Sequence, residues 1–477
     1  MKFLLASLLA VAVWASELKV STTSGIVQGF YNDSSTHTVR AFLGIPYAQP
    51  PVGTRRWAPP VAKHSPRDRV DGREYGPACP FVSSFSETDI YSVLPYGPAD
   101  PDNIAEDCLF LNIWAPSRRK NPRGAAVLVF IHGGAFVSGT SSAVPFQDGT
   151  PFVRDNKDVI VVTFNYRVGI FGFPNAPGLP DGLRNVGLLD QRLAVEWLRD
   201  NIAHFGGDPS RIMLFGQSAG AISTDMYAYA YHHDPIVHAI GLESGTATLL
   251  SSADYAHTSW RNVSSQLGCP QHDVAKDLAC MRRLDFRTIL TLGVGQPFFP
   301  VQDNRTAFSN YTHRAKLGKV ARVPVLIGSN AREGAAGSID GPAPDESTVQ
   351  TTTRAMFTCP AGIAAEQRTS LDIPVWRYLY HGNWTNISPA PFMGAYHSSE
   401  IPMVFGTYWL AGPATGDQAL VSKYMQGAWS AFAQDPLGGL TAYGWPVYNP
   451  KNEAFAQIAL ENDPLPTFLD KADGGDC

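Results

Sequence analysis

The sequence predicts an α/β fold in which a large, mostly parallel central sheet is flanked by helices. From about residue 125, short apolar runs alternate with helical patterns along the chain. The runs lack polar alternation, which is typical of strands buried on both faces of a parallel sheet. The clearest runs cover residues 127–131, 159–164, 212–215 and 323–328.

Two helices are predicted among these strands from the spacing of their apolar residues. Leu189, Leu193, Trp197 and Ile202 recur at helical spacing, and the Gly-Gly-Asp-Pro run that follows ends this first helix. A second, amphipathic helix is predicted over residues 420–432. Strands that alternate with helices in this way favour one doubly covered sheet over an all-helical or all-strand fold.

Length and composition favour one large folded domain. The chain has 477 residues, of which 44% are hydrophobic and 11% aromatic, enough for a sizeable core. Length alone suggests about three domains. The order of the predicted strands and motifs along the chain instead indicates one continuous sheet. We therefore predict a single domain over residues 16–477, with covering insertions near 251–302 and 342–393. Charged residues make up 17% and the formal net charge is −5. A nucleic-acid binder normally shows a basic excess, so no nucleic-acid partner is expected.

The first 15 residues have the pattern of a secretory signal peptide. Lys2 supplies a positive charge, and the apolar run over residues 3–14 is too short to span a membrane. Val13 and Ala15 suit the small positions before a cleavage site. We predict cleavage after Ala15 and a secreted, extracellular protein without a membrane span. Six Asn-x-Ser/Thr sequons agree with export as a glycoprotein. Their asparagines are Asn32, Asn262, Asn304, Asn310, Asn383 and Asn386.

The six cysteines form an even set, as expected for an exported protein with disulfides. Six cysteines allow about 15 pairings. The cysteines nearest in sequence pair as Cys79–Cys108 and Cys269–Cys280, which leaves Cys359 for Cys477. The sequence contains no Cys-x-x-Cys and no His-Glu-x-x-His motif. No metal site is therefore expected.

Residues 216–220 form the single Gly-x-Ser-x-Gly motif of the chain. The motif follows the predicted strand 212–215 and precedes a helix-compatible run, which is the strand–turn–helix context of a nucleophilic serine. Small residues on both sides of Ser218 permit the strained turn that would expose its hydroxyl. The alternative is a glycine-rich turn that carries an ordinary serine.

A second motif would supply hydrogen-bond donors for the oxyanion of an acyl-transfer reaction. The run His132-Gly133-Gly134-Ala135 directly follows the predicted strand 127–131, as an oxyanion loop should. Glycines let the main-chain N–H groups of Gly133 and Gly134 approach the developing charge, and the N–H of Ala219 would be the third donor. A simple β-turn is the alternative for this loop.

A serine of ordinary pKa also needs a base, and an acid that orients the base. Glu333 is the preferred acid because it follows the predicted strand 323–328, and Asp340 and Asp345 are the alternatives. Two histidines lie beyond Glu333, namely His381 after a strand-like run and His397 in a loop. Position alone favours His397 and leaves His381 open.

With these motifs and further segments, the sequence resembles the type-B carboxylesterases, the cholinesterase-like and fungal-lipase-like family of α/β-hydrolases, especially its fungal secreted members. The resemblance covers nearly the whole predicted mature chain and implies an α/β-hydrolase fold with cap or lid insertions. The matching segments are residues 42–48, 50–53, 106–112, 132–136, 165–169, 187–191, 205–209, 216–220, 243–245, 330–334, 394–406, 429–433 and 445–448.

The resemblance also implies roles for individual residues. By this match Ser218 is the nucleophile, Glu333 the acid and His397 the base, so that His397 is preferred to His381. The three N–H groups named above match the oxyanion hole, and Ser244 matches a serine that supports the triad from behind.

Other residues match the scaffold of the family rather than its chemistry. The resemblance implies two buried structural ion pairs, Arg40 with Glu106 and Arg167 with Asp190. It also implies the two loop-closing disulfides, Cys79–Cys108 and Cys269–Cys280.

The sequence departs from the family pattern at several points. Gln217 stands where many members have Glu, and Arg332 where many have Asp. The loop over residues 80–107 contains no tryptophan, although the choline site of cholinesterases uses one there, and this argues against choline esters. Four aromatic residues of this loop either form an apolar lid or lining or only pack the loop, namely Phe81, Phe85, Tyr91 and Tyr96.

These inferences together predict a secreted serine carboxylic ester hydrolase that works through a Ser-His-Glu triad and an acyl-enzyme. Its expected partners are small-molecule esters that are uncharged and apolar or aromatic, and no metal or organic cofactor is expected. A lipase for longer-chain acylglycerols is the neighbouring alternative. A non-catalytic, cholinesterase-like adhesion module is the alternative from a different class of protein.

Overall fold

Over the residues that the structure describes, eleven strands form one mixed sheet at the centre of the molecule. The computed structural model describes residues 17–33, 35–83, 85–117, 121–249, 254–451 and 454–469. The predicted signal peptide, residues 1–15, lies outside the described residues. The strands are β1 (Lys19–Thr22), β2 (Gly25–Gln28), β3 (Phe30–Tyr31), β4 (Val39–Pro46), β5 (Arg69–Asp71), β6 (Phe110–Pro116), β7 (Ala125–Ile131), β8 (Val159–Phe164), β9 (Gly207–Gln217), β10 (Ala239–Glu243), β11 (Val325–Asn330), β12 (Val375–Tyr380), β13 (Phe455–Ile458) and β14 (Thr467–Leu469).

The large sheet has the order β14-β13-β12-β11-β10-β9-β7-β8-β6-β4-β3. The strands from β13 to β8 in this order run parallel to one another. The edge strands β6, β4 and β3 on one side and β14 on the other are antiparallel to their neighbours. Strands β1, β2 and β5 form a separate small sheet. The predicted α/β fold with a large, mostly parallel sheet is confirmed.

Helices connect the strands and cover both faces of the sheet. A π-helix, Thr353–Thr358, lies directly before the helix that starts at Cys359. The α-helices among the described residues are α1 (Ile90–Val93), α2 (Thr150–Asn156), α3 (Gly169–Gly172), α4 (Val186–Asn201), α5 (Ala219–Ala230), α6 (Thr258–Gln266), α7 (Val274–Met281), α8 (Phe286–Gly293), α9 (Tyr311–Lys316), α10 (Glu346–Thr352), α11 (Cys359–Thr369), α12 (Ile401–Phe405), α13 (Gly416–Gln434) and α14 (Gly439–Ala442).

The two helices predicted from apolar spacing are α4 and α13. A short 3-10 helix, Ile202–Phe205, continues α4. The chain then turns at Gly206, whose φ of 99° lies in the left-handed region that a glycine adopts without a steric penalty. The helix therefore ends where the Gly-Gly-Asp-Pro run predicts its end.

Strand β7 shows how the sheet divides the core into two layers. Val127, Val129 and Ile131 belong to one apolar cluster, which also takes in side chains of α4 and α5. Leu128 and Phe130 belong to the cluster on the opposite face, which takes in side chains of α13. Every residue of β7 is buried, and each such aliphatic or aromatic side chain contributes about 1.5–3 kcal/mol on burial. This accounts for the uninterrupted apolar run in the sequence.

The first predicted insertion, residues 251–302, holds α6, α7 and α8 and has an apolar cluster of its own. The cluster is built around Trp57, Trp260 and Met281. Asp277 accepts hydrogen bonds from the indole of Trp260 at 2.7 Å and from the hydroxyl of Ser264 at 2.5 Å. These hydrogen bonds therefore join α6 to α7 beside the sheet.

The second predicted insertion, residues 342–393, differs from the expectation because it contains β12. This strand pairs in parallel with β11 on one side and with β13 on the other. Only its helical part, α10 with the π-helix and α11, lies outside the sheet. The strand-like run 375–380 in the sequence is therefore an interior strand of the sheet.

One of the two ion pairs implied by the resemblance is wrong. Glu106 pairs with Arg56, not with Arg40, through contacts of 2.5 and 2.6 Å. Arg40 lies on β4 and donates to the main-chain carbonyls of Pro116, at 3.0 and 3.2 Å, and of Phe205, at 2.8 Å. Its guanidinium is held by these carbonyls, whereas Arg56 comes from the turn after the 3-10 helix Gly53–Arg55 and reaches Glu106 directly.

The second implied ion pair, Arg167 with Asp190, is present and fully buried. The guanidinium approaches the two carboxylate oxygens at 2.7 and 2.8 Å, and the main-chain N–H of Arg167 also donates to Asp190. Burial raises the pKa of Asp190, and the charge of Arg167 opposes that rise. This bidentate pair fixes the start of α4 against the loop that follows β8.

No helix in the described ranges is both long enough and apolar enough to cross a membrane.

Candidate active site

Four loops meet at one edge of the sheet because the strands that precede them are parallel and end in register. The pairing places Ile131 of β7 beside Gly216 of β9. It also places Gln217 beside Glu243 of β10, which lies beside Gly328 of β11. The loops after these four strands carry Gly133, Gly134, Ser218, Ser244 and Glu333, and His397 lies in the loop after the neighbouring parallel strand β12. They therefore come together at the carboxyl edge of the sheet, where α/β folds bind their ligands.

Ser218 lies on a strained turn between β9 and α5. Its φ of 57° and ψ of −123° are rarely adopted by a residue with a side chain. The neighbouring glycines make the turn possible, since a Cβ at Gly216 would lie 2.5 Å from the main chain of Gly220. A Cβ at Gly220 would lie 1.9 Å from the carbonyl oxygen of Ile131. The turn leaves Ser218 partly exposed between buried neighbours.

The loop after β7 lies directly against Ser218. A Cβ at Gly133 would come within 3.0 Å of the Cβ of Ser218. Gly134 has a φ of 104°, which favours glycine at this position. Within the described part of the chain, the N–H groups of Gly133 and Gly134 donate to no other residue. The N–H of Ala219 belongs to the first turn of α5, where N–H groups lack a partner within the helix. These amides are free to bind a developing negative charge.

Glu333, which is buried, and His397, which is partly exposed, form a close pair. The Nδ1 atom of His397 lies 2.6 Å from Oε2 of Glu333. The other carboxylate oxygen, Oε1, accepts a hydrogen bond from the hydroxyl of Ser244 at 2.5 Å and one from the N–H of Asn330 at 2.7 Å. The carboxylate is therefore held by two donors on one oxygen and presents the other to the imidazole. Ser244 lies behind the pair, as the resemblance implies.

The second nitrogen of the imidazole faces the turn that carries Ser218. Nε2 of His397 lies 3.3 Å from the side-chain amide nitrogen of Gln217, and the ring of Phe357 packs on the imidazole at 4.8 Å. The side chain of His397 is 18% exposed, which leaves one edge open to a substrate. No hydrogen bond among the described residues joins Ser218 to His397. Bonds of this kind often tighten only when substrate binds.

Two further buried carboxylates lie around this pair. Glu400 accepts a hydrogen bond from the amide of Asn330, which also donates to the carbonyl of Tyr396 at 2.8 Å. Burial, together with the nearby charge of Glu333, raises the pKa of Glu400 to about 7. Burial also raises the pKa of Glu243 well above its usual range, and the charge of Glu400 adds to that rise. Glu243 therefore favours the neutral acid, whereas Glu400 changes between the neutral acid and the carboxylate near pH 7.

The surroundings of His397 shift its pKa in both directions. Burial lowers the pKa of the imidazole, but the charges of Glu333 and Glu400 and the hydrogen bond that the imidazole donates to Glu333 raise it. The net result is a pKa above the usual histidine range. A proton that arrives on this imidazole is thus stabilised by the carboxylate behind it.

The remaining predicted candidates lie apart from this pair. His381 follows β12, its pKa is lowered by burial, and it makes no contact with Glu333. Asp345 caps the start of α10, and Asp340 is exposed on a loop. His132 is buried and stacks on Tyr166, and burial lowers its pKa to about 4. Of the predicted bases and acids in the described part of the chain, only His397 and Glu333 therefore form a hydrogen-bonded pair at the serine turn.

Sequence reasoning missed several residues of the site. Asn330 links Glu333 to Glu400, and Phe357 flanks the imidazole, but neither was assigned a role. Glu400 lies three residues after His397, and no sequence pattern around it indicates a role at the site. Phe357 lies on the π-helix, which periodicity does not reveal, although such helices are frequent at functional sites. The motif that ends β11 was the one signal that pointed to Asn330.

Two of the three predicted disulfides are present, Cys79–Cys108 and Cys269–Cys280. The third, Cys359–Cys477, stays a prediction because Cys477 lies outside the described residues. Among those residues, no group of three or more His, Cys, Asp or Glu side chains has the arrangement of a metal site.

The sequon asparagines lie on the surface, with one exception. Asn32, Asn262, Asn304, Asn310 and Asn383 are exposed. Asn386 is half-buried, and its amide nitrogen donates to the carbonyls of Tyr408 and Gly412. A glycan on that nitrogen would displace these bonds, so Asn386 is the least suitable of the six sites.

The sheet order, the strained serine turn and the histidine–glutamate pair at the carboxyl edge define an α/β-hydrolase. The family model of the carboxylesterases, described as "Carboxylesterase family", matches residues 16–344 and 338–473. The chain therefore belongs to the carboxylesterase family, and it is a carboxylic ester hydrolase.

Several characterised proteins are similar to it over nearly their whole length. A chlorogenic acid esterase of Aspergillus niger is 43% identical over 474 residues, which cover 96% of this chain and 91% of the relative. Secreted lipase 5 of Gibberella zeae is 35% identical, and the aligned region covers 97% of this chain and 94% of the lipase. The para-nitrobenzyl esterase of Bacillus subtilis is 30% identical, with coverage of 93% and 96%.

Proposed function

We propose that this protein is a secreted serine carboxylesterase in which Ser218 is the nucleophile, His397 the base and Glu333 the acid that orients the base. The observation that carries the proposal is the pair of contacts at the imidazole. Nδ1 lies 2.6 Å from Glu333, and Nε2 faces Gln217, the residue directly before Ser218. This contact places Nε2 at the turn that carries Ser218, where the base of a serine hydrolase is needed.

The reaction follows from this arrangement. His397 removes the hydroxyl proton as Ser218 attacks the ester carbonyl, and the carbonyl oxygen becomes an oxyanion held by the N–H groups of Gly133, Gly134 and Ala219. The imidazolium, stabilised by Glu333, then protonates the departing alcohol and an acyl-enzyme is left. Water, activated by the same imidazole, releases the acid and restores Ser218.

The proposed substrates are esters with an uncharged aromatic acyl group, such as the hydroxycinnamoyl ester chlorogenic acid, whose carboxylate lies on the alcohol half. Two observations support this class. A relative with 43% identity is a chlorogenic acid esterase, and Phe357 places an aromatic ring against the imidazole. The neutral Gln217 beside the serine and the absence of tryptophan from residues 80–107 give a cationic choline ester no recognisable partner.

A lipase for longer-chain acylglycerols is the second candidate, because the relative from Gibberella zeae is a secreted lipase. The two candidates are separated by hydrolysis rates across one series of substrates. We expect kcat/KM for chlorogenic acid to exceed that for acetylthiocholine by about 10- to 150-fold, since the loss of one desolvated ionic partner costs about 1.5–3 kcal/mol. Emulsified long-chain triglyceride as the best substrate would contradict the aromatic-ester proposal and favour the lipase.

The nucleophile is tested by covalent labelling. An uncharged organophosphate should attach once per chain to Ser218, and activity should fall in proportion to labelling. Peptide mass spectrometry locates the label, and a Ser218→Ala variant is the control that should stay unlabelled. A folded protein that takes up no label, or takes it up elsewhere, would contradict the serine mechanism and favour the non-catalytic module.

Secretion and glycosylation are part of the same proposal. The apolar run before Ala15, the two disulfides of the described residues and the five exposed sequon asparagines support an extracellular protein. The name of the Gibberella relative, a secreted lipase, agrees with it.

The pH dependence follows from the raised pKa of His397. The base must be neutral to accept the serine proton, so kcat/KM should rise with pH through a pKa that lies above about 6.5, the ordinary value for histidine. A Glu400→Gln variant removes one of the carboxylates that raise this pKa and should move the rise to lower pH. The profile is measured with an uncharged ester from pH 5 to 9.

An exposed carboxylate provides the control for this profile. Glu346 pairs with Arg332 on the surface, and a Glu346→Gln variant should leave the pH midpoint unchanged. A wild-type rate that is flat across the range, or a midpoint that moves upward in Glu400→Gln, would contradict the assignment of His397.

A further inference from the structure

The loop closed by Cys79–Cys108, residues 80–107 and here called the disulfide loop, packs on the segment that follows Glu333. The N–H of Ile90 donates to the carbonyl of Gly337 at 3.0 Å. The N–H of Ile339 donates in turn to the carbonyl of Thr88 at 2.9 Å. The disulfide loop is therefore joined to the loop after β11 by main-chain hydrogen bonds in both directions.

The disulfide loop also reaches the main chain that carries His397. The hydroxyl of Tyr91 donates to the carbonyl oxygen of His397 at 2.6 Å. The hydroxyl of Tyr96 lies 3.1 Å from the carbonyl oxygen of Ser398 and 2.9 Å from the hydroxyl of Tyr396. Two tyrosines of one loop therefore hold two consecutive peptide units at the proposed base.

The neighbouring peptide units are held from the other side. The carbonyl of Ala395 accepts from the N–H of Arg332 at 3.0 Å, and the carbonyl of Tyr396 accepts from the amide of Asn330 at 2.8 Å. Of four consecutive carbonyls, residues 395–398, the first two are thus held by the end of β11 and the loop after it, and the last two by the disulfide loop. Such fixation is needed because Ser398 has a φ of 78°, a strained value for a residue with a side chain.

We propose that Tyr91 and Tyr96 are positioning residues for His397, so that the disulfide loop is a fixed part of the active site and not a lid. The proposal rests on the proposed function, because it takes His397 as the base. Their hydroxyls fix the positions of the carbonyl groups of His397 and Ser398. The main chain held in this way determines the distance from Nε2 of His397 to Ser218. An opening movement of the loop would break both bonds and release the base.

The surroundings of the two tyrosines agree with a permanent contact. Their rings lie 5.4 Å apart in an edge-to-face arrangement, and Tyr96 also packs edge-to-face on Phe146 at 4.9 Å. Burial raises the pKa of Tyr91 well above the usual tyrosine range, and the nearby Tyr396 adds to that rise. The hydroxyl of Tyr91 therefore stays protonated and able to donate at any pH at which the enzyme works.

The test removes the hydroxyls one at a time and together, in Tyr91→Phe, Tyr96→Phe and the double variant. The active sites of each preparation are first titrated with the organophosphate, so that unfolded protein does not enter the rate. A displacement of a catalytic group by about 1 Å costs up to about 100-fold in rate. We expect kcat per titrated site to fall about 5- to 50-fold in the double variant, with KM changed less than about twofold.

A Tyr255→Phe variant is the matched control. The hydroxyl of Tyr255 donates to the side chain of Gln302 at 3.2 Å on the surface, and its removal should leave kcat unchanged. If the double variant keeps its kcat per titrated site and loses only thermal stability or active fraction, the tyrosines have a structural role alone and the inference is overturned.

The same experiment separates this inference from the proposed function. Failure of Ser218 to react in the wild-type protein would reject the function itself, whatever the tyrosine variants do. A jump in rate when a short triglyceride passes its solubility limit would show a lid that opens at an interface, and would overturn the inference while the serine mechanism stands.

Discussion

Replacing Ser218 by alanine is expected to lower kcat by about 10⁶-fold, the order measured when a serine hydrolase loses its nucleophile. Without the hydroxyl, no acyl-enzyme forms. The free amides of Gly133 and Gly134 still favour an oxyanion, so a small rate above that of water should remain. The residual rate is measured with an activated ester at high enzyme concentration, after removal of any wild-type contamination by organophosphate treatment.

Ser210→Ala is the control for this variant. Ser210 lies on the same strand, β9, and its hydroxyl bonds to Asp208 far from the turn. Its loss should leave kcat unchanged. A Ser218→Ala protein that keeps more than about 1% of the wild-type rate after such treatment would show that another group attacks the ester.

Replacing Glu333 by glutamine is expected to lower kcat by about 10³- to 10⁴-fold, because it reverses the tautomer of His397. The hydroxyl of Ser244 and the N–H of Asn330 both donate to Oε1. The glutamine must place its oxygen there and turn its NH₂ group toward Nδ1. The imidazole then accepts on Nδ1 and carries its proton on Nε2, where it cannot take the proton of Ser218.

Two measurements check this prediction. The rate of organophosphate labelling should fall together with kcat, since both need a base on Nε2, while KM stays within about threefold. Glu346→Gln is the control, because it makes the same chemical change in a glutamate on the surface. A Glu333→Gln enzyme within tenfold of wild type would mean that the carboxylate does not orient the base.

The central sheet could be predicted from the sequence because its physical basis is local. Strands β7 and β8 are buried on both faces, so their sequences are uninterrupted apolar runs. The 3-10 helix that continues α4 ends at Gly206, a glycine with positive φ, and the sequence shows this glycine directly. The position of β12 inside the sheet could not be read in the same way. Its neighbours β11 and β13 are joined to it by long connections, and strand order depends on packing between distant segments.

The candidate site shows the same division. Ser218, Gly133 and Glu333 follow predicted strands, so the parallel sheet brings them to one edge. The choice of His397 over His381 needed the family resemblance, because both lie in plausible positions after the acid. The mistaken pairing of Arg40 with Glu106 has a similar cause, since six arginines precede Glu106 in the sequence and only the folded chain shows which one reaches the carboxylate.

The strained turn at Ser218 has a consequence for attempts to make the enzyme more heat-resistant. A residue held at such φ and ψ angles costs about 1–3 kcal/mol of folding free energy, and glycine at the same position would avoid most of that cost. Selection for melting temperature alone would therefore favour glycine at residue 218 and discard the proposed nucleophile. Libraries for thermostability should keep residues 216–220 constant and be screened for turnover at every round.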